Sequence, residues 1–136
     1  METIKPKTIY LAGPLFTKAE QDFNKELAEF LSGKGFKVFL PQEECKNKKK
    51  KDIFLKCKEG LDSSDIVLAI MDGADADSGT CWEFGYAFAK NKTLIALRTD
   101  FRKSGDTGGF NAMIYYSAAK LISGKNYLSE IFKYLS

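Results

Sequence analysis

Short apolar runs alternate with segments of helical period along the sequence, and this alternation is the feature that most constrains the fold. The apolar runs are rich in Ile, Val, Leu and Phe, and they predict five strands, at residues 8–13, 36–40, 65–73, 93–100 and 118–124. The segments between them predict helices at residues 16–33, 50–62, 79–90 and 125–135. Strands that alternate with helices are typical of right-handed βαβ units, in which helices cover both faces of a parallel sheet.

The predicted architecture is therefore an α/β three-layer sandwich of the flavodoxin-like or Rossmann-like type, with a five-stranded parallel sheet in the order 2-1-3-4-5. With 136 residues the chain is long enough for one domain, residues 1–136, and too short for two ordinary ones. It has no apolar stretch near the roughly 20 residues that a membrane span needs, and no signal-peptide core. We expect a soluble cytoplasmic protein with no membrane partner.

The composition limits the chemistry that the chain can perform. The sequence contains no histidine and only three cysteines, which are widely spaced, so Cys/His zinc sites and histidine-based triads are excluded. We expect neither a metal nor a cofactor. The turn GPLF at residues 13–16 has no GxGxxG pattern and no Walker lysine, so it offers no phosphate cradle. The basic run KNKKKK at residues 46–51 lacks interleaved aromatic residues, and we interpret it as solvated rather than as a nucleic-acid site.

The stretch DGADADSGTCWEFGYAFAKNK at residues 72–92 carries the strongest candidate for chemistry. A sheet of this type binds ligands beyond the carboxyl ends of its strands, where the strand order reverses, and this stretch follows the third predicted strand. Glu83 falls there in the first turn of the predicted helix, between two aromatic residues, and is a candidate nucleophile or cation-stabilising carboxylate. Glu83 also completes a capping box with Thr80, and both interpretations remain open.

Two other residues at this edge, Asp77 and Phe16, have both a functional and a structural interpretation. Asp77 lies six residues before Glu83, and Gly79 between them permits a tight turn and a close approach of backbone to ligand. The two carboxylates would then flank a small polar ligand, although an Asx turn or a helix cap also explains Asp77. Phe16 is either a stacking partner for a planar base or the first core residue of its helix. The Gly-rich stretch at residues 104–110 is predicted to be a mobile site loop.

Five motifs occur together in this order: YLAGPLF, PQEE, SDIVLAIMDG, DSGTCWEFGYA and NAMI. With them the chain resembles, over residues 8–124, the nucleoside 2-deoxyribosyltransferases and their relatives, the 2'-deoxynucleoside 5'-monophosphate N-glycosidases. The resemblance implies an enzyme of nucleoside salvage that cleaves the N-glycosidic bond of a 2'-deoxynucleoside and transfers deoxyribose to another nucleobase or to water. It also implies a homo-oligomer, a dimer or higher, whose subunits share active sites.

The resemblance also assigns roles at the reacting end of the site. Glu83 matches the glutamate that attacks the anomeric carbon and forms a covalent deoxyribosyl-enzyme. Tyr10 matches a tyrosine that holds the geometry of this nucleophile. Phe16 matches a residue that stacks near the base, and Gln42 lies near a position that contacts the base.

Other positions match residues at the sugar end. Asp77 matches the carboxylate that binds the sugar hydroxyls, with Gly79 beside it. Asn111 and Met113 belong to the NAMI motif, and Asn111 matches an asparagine that a neighbouring subunit lends to the same end of the sugar. Asp77 and Asn111 favour an unphosphorylated nucleoside, because the monophosphate glycosidases tend to have serines there. A carboxylate at Asp77 would also repel a 5'-phosphate, because unit negative charges 4 Å apart repel by about 4 kcal/mol at an effective dielectric near 20.

One position departs from the family pattern. The family usually has an aspartate on the helix before the third strand, where it helps to manage the base or its proton, and here the residue is Cys57. Because a thiol with an ordinary pKa near 8.5 is a poor substitute for a carboxylate, base specificity and leaving-group activation are open. Asp62 lies on a different face of the predicted helix and is not an obvious replacement.

The sequence leaves several functions open. Transferase and hydrolase differ only in whether a nucleobase or water reaches the glycosyl-enzyme, and purine or pyrimidine preference is not indicated. A 2'-deoxynucleoside 5'-monophosphate N-glycosidase is the alternative within the family. Two alternatives come from other classes. One is a non-catalytic nucleotide-binding module, in which Glu83 only caps a helix, and the other is an enzyme that acts on NAD-like substrates.

Overall fold

The computed structural model describes residues 5–103 and 106–136 and contains a parallel sheet in the order β2-β1-β3-β4-β5. The strands are β1 (Thr8–Ala12), β2 (Lys37–Phe39), β3 (Ile66–Ile70), β4 (Thr93–Arg98) and β5 (Lys120–Ser123). The helices are α1 (Lys18–Gly33), α2 (Pro41–Glu44), α3 (Lys50–Ser63), α4 (Ser78–Ala89), α5 (Ala112–Ser117) and α6 (Tyr127–Leu135). The predicted fold class and strand order are confirmed.

Two separate apolar clusters pack on the two faces of the sheet. Because successive side chains of a strand point to opposite faces, Ile9 and Leu11 of β1 join the cluster beneath α1 and α6. Tyr10 and Ala12 join the other cluster, beneath α3, α4 and α5. All five residues of the central strand β3 are buried, as expected for a parallel strand covered on both sides. Helices on both faces give the predicted three layers.

The close contact between α3 and β2 fixes an aromatic pair behind the carboxyl edge of the sheet. A Cβ atom at Gly60 of α3 would lie 2.7 Å from the ring of Phe39, so only glycine allows this approach. The Phe39 ring in turn stacks on the ring of Tyr10, with centroids 4.9 Å apart and planes 11° from parallel. This packing fixes the direction in which the Tyr10 hydroxyl points.

The segment after β4 is anchored by Arg98 and Phe110. The Arg98 side chain is buried and donates hydrogen bonds to the carbonyls of Met71, at 2.7 Å, and Arg102, at 2.9 Å. Phe110 is buried in the cluster that contains Tyr10. Residues 104 and 105 of the predicted site loop lie outside the described residues, and the mobility of this loop stays a prediction.

Two short helices were not predicted, and one predicted helix begins later than expected. Helices α2 and α5 are only four and six residues long, too short to display a helical period. Helix α1 begins at Lys18 because Thr17 caps it in a capping box with Glu20, so Phe16 precedes the helix. Within residues 5–103 and 106–136, none of the helices is long and apolar enough to cross a membrane.

Candidate active site

A cavity of about 800 Å³ opens at the carboxyl edge of the sheet, beside the ends of β1 and β3. Its walls come from the turn after β1, from α2, from one face of α3 and from the beginning of α4. This is the edge at which the strand order reverses, because β1 has β2 on one side and β3 on the other. A cavity of this volume is in the range that binds small molecules.

Glu83 lies in the wall of this cavity, on the second turn of α4. The capping-box interpretation is wrong, because the residue that caps α4 is Asp77. The Asp77 carboxylate accepts hydrogen bonds at 2.9 Å from both the backbone N–H and the hydroxyl of Thr80. The helix therefore begins earlier than predicted, Thr80 is inside it, and the Glu83 carboxylate is not used for capping.

Tyr10 donates its hydroxyl hydrogen bond to a carboxylate oxygen of Glu83. The Tyr10 side chain is 0% exposed, and burial together with the negative charge of Glu83 raises the pKa of its phenol far above the ordinary value. Tyr10 therefore stays a neutral donor at any working pH. The resemblance predicts that Tyr10 lies beside Glu83, and the structure brings the two side chains into direct contact.

Burial also raises the pKa of Glu83, from 4.5 to about 7. The charge of Asp77 raises this pKa further, whereas the hydrogen bond from Tyr10 opposes both effects because it stabilises the ionised form. The group is thus half ionised near neutral pH. A poorly solvated carboxylate with one fixed donor is suited to act as a nucleophile or to stabilise a cation.

Asp77 and Gly79 lie in the same cavity wall as Glu83. Asp77 both caps α4 and faces the cavity, so its structural and functional interpretations are compatible. A Cβ atom at Gly79 would lie only 3.4 Å from the Asp77 carboxylate. Glycine at this position therefore leaves the approach to the carboxylate open.

Phe16 is 74% exposed and lies at the cavity, so of its two interpretations the one as a core residue is wrong. It precedes α1 and therefore cannot reach the apolar stripe of that helix. Its side chain is free to contact a ligand, as its stacking interpretation requires. Gln42 lies in the cavity wall on α2, with its amide bonded to α1.

An aromatic wall formed by Phe54 and Trp82 is the main feature that sequence reasoning missed. The two rings meet edge to face, with centroids 5.6 Å apart, and both side chains are 49% exposed. Trp82 directly precedes Glu83 in the sequence, and that adjacency was the available signal. Phe54 gave no such signal, because the rotation of α3 is fixed only by its packing.

Two cysteines occupy the side of the cavity near α2 and α3. The sulfur atoms of Cys45 and Cys57 are 3.7 Å apart, and both residues are half-buried free thiols. Burial raises the pKa of Cys57 to about 12, so this thiol is neutral and cannot replace an ionised aspartate. Asp62 is engaged elsewhere, with the Tyr86 hydroxyl at 2.5 Å and the Lys58 ammonium at 3.1 Å, and does not take over that role.

Asn111 and Met113 are not brought to the Glu83 cavity by this chain. They line a second depression of about 500 Å³ between α4 and α5, which shares Ser78 with the first cavity. Asn111 caps α5 by accepting a hydrogen bond at 2.8 Å from the Met113 backbone N–H, and Met113 is 80% exposed. A role for Asn111 in a neighbouring subunit stays a prediction. In the described part of the chain, no three His, Cys, Asp or Glu side chains cluster as metal ligands would.

One family model matches most of the chain, and several solved structures have a similar fold. A family model described as nucleoside 2-deoxyribosyltransferase matches residues 9–126. A conserved protein from Enterococcus faecalis V583 has a similar structure, with 28% identity and a TM-score of 0.78, covering 95% of this chain and 99% of that chain. A 2-desoxiribosyltransferase from Leishmania mexicana is 24% identical, with a TM-score of 0.76 and coverage of 96% and 97%.

A more distant structure has a similar fold. The CMP N-glycosidase BcmB from Clostridium botulinum is 19% identical, with a TM-score of 0.67, covering 95% of this chain and 97% of that chain. The curated proteins include no match to this sequence.

Proposed function

Because the chain belongs to the nucleoside 2-deoxyribosyltransferase family, we propose that it cleaves the N-glycosidic bond of 2'-deoxynucleosides through a covalent deoxyribosyl-Glu83 intermediate. Family membership makes it an enzyme of the deoxyribosyltransferase or N-glycosidase type. The observation that carries the finer proposal is the contact between Tyr10 and Glu83 in the wall of a cavity large enough for a nucleoside. In the described part of the chain, the Glu83 carboxylate accepts a hydrogen bond from Tyr10 alone.

The first step forms a glycosyl ester on Glu83. The carboxylate oxygen attacks the anomeric carbon while the bond to the base nitrogen breaks, and the bonding electron pair leaves with the base. The transition state has oxocarbenium character, which the negative charge of Glu83 stabilises before the new bond forms. A 2'-deoxy sugar forms this cation more readily because it has no electron-withdrawing 2'-hydroxyl.

The second step regenerates the carboxylate. A nitrogen of an acceptor base, or a water oxygen, attacks the anomeric carbon and displaces Glu83, and the acceptor loses a proton. Transfer to a base requires that water be excluded from the glycosyl-enzyme. The aromatic wall of Phe54 and Trp82 reduces access from one side of the cavity. We propose that a neighbouring subunit completes the site with Asn111.

Tyr10 orients the nucleophile and tunes its ionisation. Its hydrogen bond holds one carboxylate oxygen, which leaves the other to attack, and favours the ionised form against the effect of burial. Because the phenol is stacked on Phe39, the donor is held in place before substrate binds. Such preorganisation lowers the cost of orienting the nucleophile during the reaction.

We propose that the substrates carry a free 5'-hydroxyl. Asp77 faces the cavity, where a carboxylate accepts hydrogen bonds from sugar hydroxyls but repels a phosphate group. The cavity should therefore bind nucleosides in preference to the 5'-monophosphates that a glycosidase of the related type would take.

The test is to incubate the protein with 2'-deoxynucleosides, ribonucleosides and their 5'-monophosphates and to measure base release, with and without an acceptor base. We expect release from 2'-deoxynucleosides and, with an acceptor, formation of the exchanged nucleoside. Glu83→Gln should abolish release, whereas Glu29→Gln, an exposed glutamate of α1 on the opposite face of the sheet, should leave it unchanged.

A clear preference for monophosphates would contradict the assignment of Asp77. Free deoxyribose in place of the exchanged nucleoside would identify a hydrolase. The absence of release from any member of the panel would refute the proposed function.

A further inference from the structure

Asn24 interrupts the apolar stripe of α1 with a buried amide. The buried residues of this helix are Asn24, Leu27, Ala28 and Leu31, which follow the spacing of a single helix face. Asn24 is 4% exposed, and an amide at this depth destabilises the fold unless it is hydrogen-bonded. An apolar residue would satisfy the packing of this face, so the amide requires another explanation.

The Asn24 side chain connects α1 to two segments of the cavity wall. Its Nδ2 donates a hydrogen bond at 3.0 Å to the carbonyl of Pro14, in the turn after β1. The same Nδ2 lies 3.2 Å from the side-chain oxygen Oε1 of Gln42. Gln42 then donates from Nε2 to the backbone carbonyl of Gln21, at 2.9 Å. The chain of hydrogen bonds therefore ends on a backbone carbonyl at both ends.

The Pro14 carbonyl orients the Asn24 amide, and the Gln42 amide is then held at both ends, its oxygen by Asn24 and its nitrogen by Gln21. A carbonyl oxygen can only accept, so the nitrogen of Asn24 must face Pro14 and the nitrogen of Gln42 must face Gln21. The oxygen of Gln42 then faces the Asn24 nitrogen, which completes a consistent set of donors and acceptors. Rotation of either amide by 180° would place like groups against each other.

We propose that Asn24 is a positioning residue, which fixes the Gln42 amide so that its remaining N–H and its remaining oxygen lone pair serve a nucleobase. An amide has two N–H donors and two oxygen lone pairs, and the contacts of Gln42 within the described residues use one of each. The remaining N–H donor and oxygen lone pair of Gln42 match the edge of a nucleobase that has an acceptor beside a donor. Asn24 acts through Gln42, which lines the cavity, and this inference rests on the proposed function for the identity of the ligand.

The substitution Asn24→Asp tests the proposal with almost no change of shape. The carboxyl of aspartate has no N–H group: ionised it donates nothing, and protonated it has one O–H for two acceptors, so it cannot hold both the Pro14 carbonyl and the Gln42 oxygen. We expect the KM for a 2'-deoxynucleoside to rise about tenfold while kcat stays within about twofold, since a base contact of this kind serves substrate and transition state alike. Asn24→Leu provides a second variant that suits the apolar stripe if the aspartate variant does not fold. Asn126→Asp is the control, because Asn126 is exposed and makes no side-chain cap.

A double-mutant cycle separates positioning from a general structural effect. If Asn24 acts through Gln42, then adding Asn24→Leu to Gln42→Ala should raise KM no further than Gln42→Ala alone. Multiplication of the two single effects would overturn the proposal. The same cycle can be measured as Kd for free adenine and hypoxanthine from the fluorescence of Trp82, which is the only tryptophan in the sequence and lines the cavity.

A readout without ligand distinguishes failure of this inference from failure of the proposed function. In ¹H–¹⁵N NMR spectra, the side-chain NH₂ signals of Gln42, assigned by their loss in Gln42→Ala, should differ from those of a solvated glutamine in the wild type. In Asn24→Leu they should move towards the solvated values, because an amide held only by the Gln21 carbonyl is less restrained. Signals that are unchanged by Asn24→Leu would overturn the inference, whatever the enzyme catalyses. If the signals move but no nucleoside is cleaved, the positioning role stands and the proposed function fails.

Discussion

Tyr10→Phe should change the pH dependence of the reaction more than its maximum rate. The substitution removes only the hydroxyl, so the buried ring and its stacking on Phe39 remain. What is lost is the hydrogen bond to Glu83, which is one of the factors that determine the pKa of that carboxylate.

The expected size of the effect follows from that hydrogen bond. A hydrogen bond to a charged group contributes about 1.5 to 3 kcal/mol, and 1.36 kcal/mol corresponds to one pKa unit, so the pKa of Glu83 should rise by about 1 to 2 units. The wild-type pKa is about 7, so roughly a tenth of Glu83 is ionised at pH 6. The variant should then be about tenfold or more slower at pH 6, and the difference should narrow greatly by pH 9.

The assay is the pH profile of kcat/KM for base release from a 2'-deoxynucleoside, measured from about pH 5 to pH 9.5 for both proteins. Thermal unfolding of both proteins controls for damage to the core. An equal loss of rate at every pH would refute the argument that Tyr10 tunes ionisation, and would leave it only an orienting role. An unchanged profile would show that the hydroxyl contributes nothing to the reaction.

Substitutions at three positions test other properties of the site. Because the pKa of Glu83 lies above its unfolded value near 4.5, the wild type loses stability as the pH rises from about 4.5 to 7. In chemical denaturation, Glu83→Gln should therefore be more stable than wild type at pH 8, by up to about 3 kcal/mol. This difference in stability should disappear below pH 5. Asp77→Asn keeps an oxygen that can cap α4, so it should preserve stability while weakening nucleoside binding and reducing discrimination against monophosphates, whereas Asp77→Ala should also lose about 1 kcal/mol in the same denaturation experiment. Cys57→Asp should change the relative rates of release of different bases, because a neutral thiol is replaced by a carboxylate. If Cys57→Asp releases each base at the wild-type rate and with the wild-type base preference, then the thiol at this position does not impair the reaction.

The fold was predictable because its long elements carry strong periods. Strands such as β3 are continuous apolar runs, and α1 repeats apolar residues along one face, so the order of elements and the parallel sheet follow from the sequence. Helices α2 and α5 could not be predicted, because four or six residues are too few to display a helical period. The beginning of α4 was misplaced because two capping residues compete locally, and Asp77 captures the amide of Thr80.

The candidate site was only partly predictable. Tyr10 and Glu83 could be assigned to one edge of the sheet from strand order alone, but their direct contact depends on the stacking of Tyr10 on Phe39 and on the close approach at Gly60. The aromatic wall depends on the rotation of α3, which no local pattern determines. Asn24 looked like an ordinary helix residue, because its hydrogen bonds reach segments that are distant in the sequence.

The most direct test of the central claim is intact-mass measurement after rapid acid quench of the protein with a 2'-deoxynucleoside, followed by peptide mapping. We expect a fraction of the wild-type protein to be heavier by one deoxyribosyl group, with the added mass on the peptide that contains Glu83. Glu83→Gln should carry no such adduct, and an acceptor base should remove it from the wild type. Rapid base release without any adduct, or an adduct that maps to another residue or persists in Glu83→Gln, would contradict the assignment of Glu83 as the nucleophile.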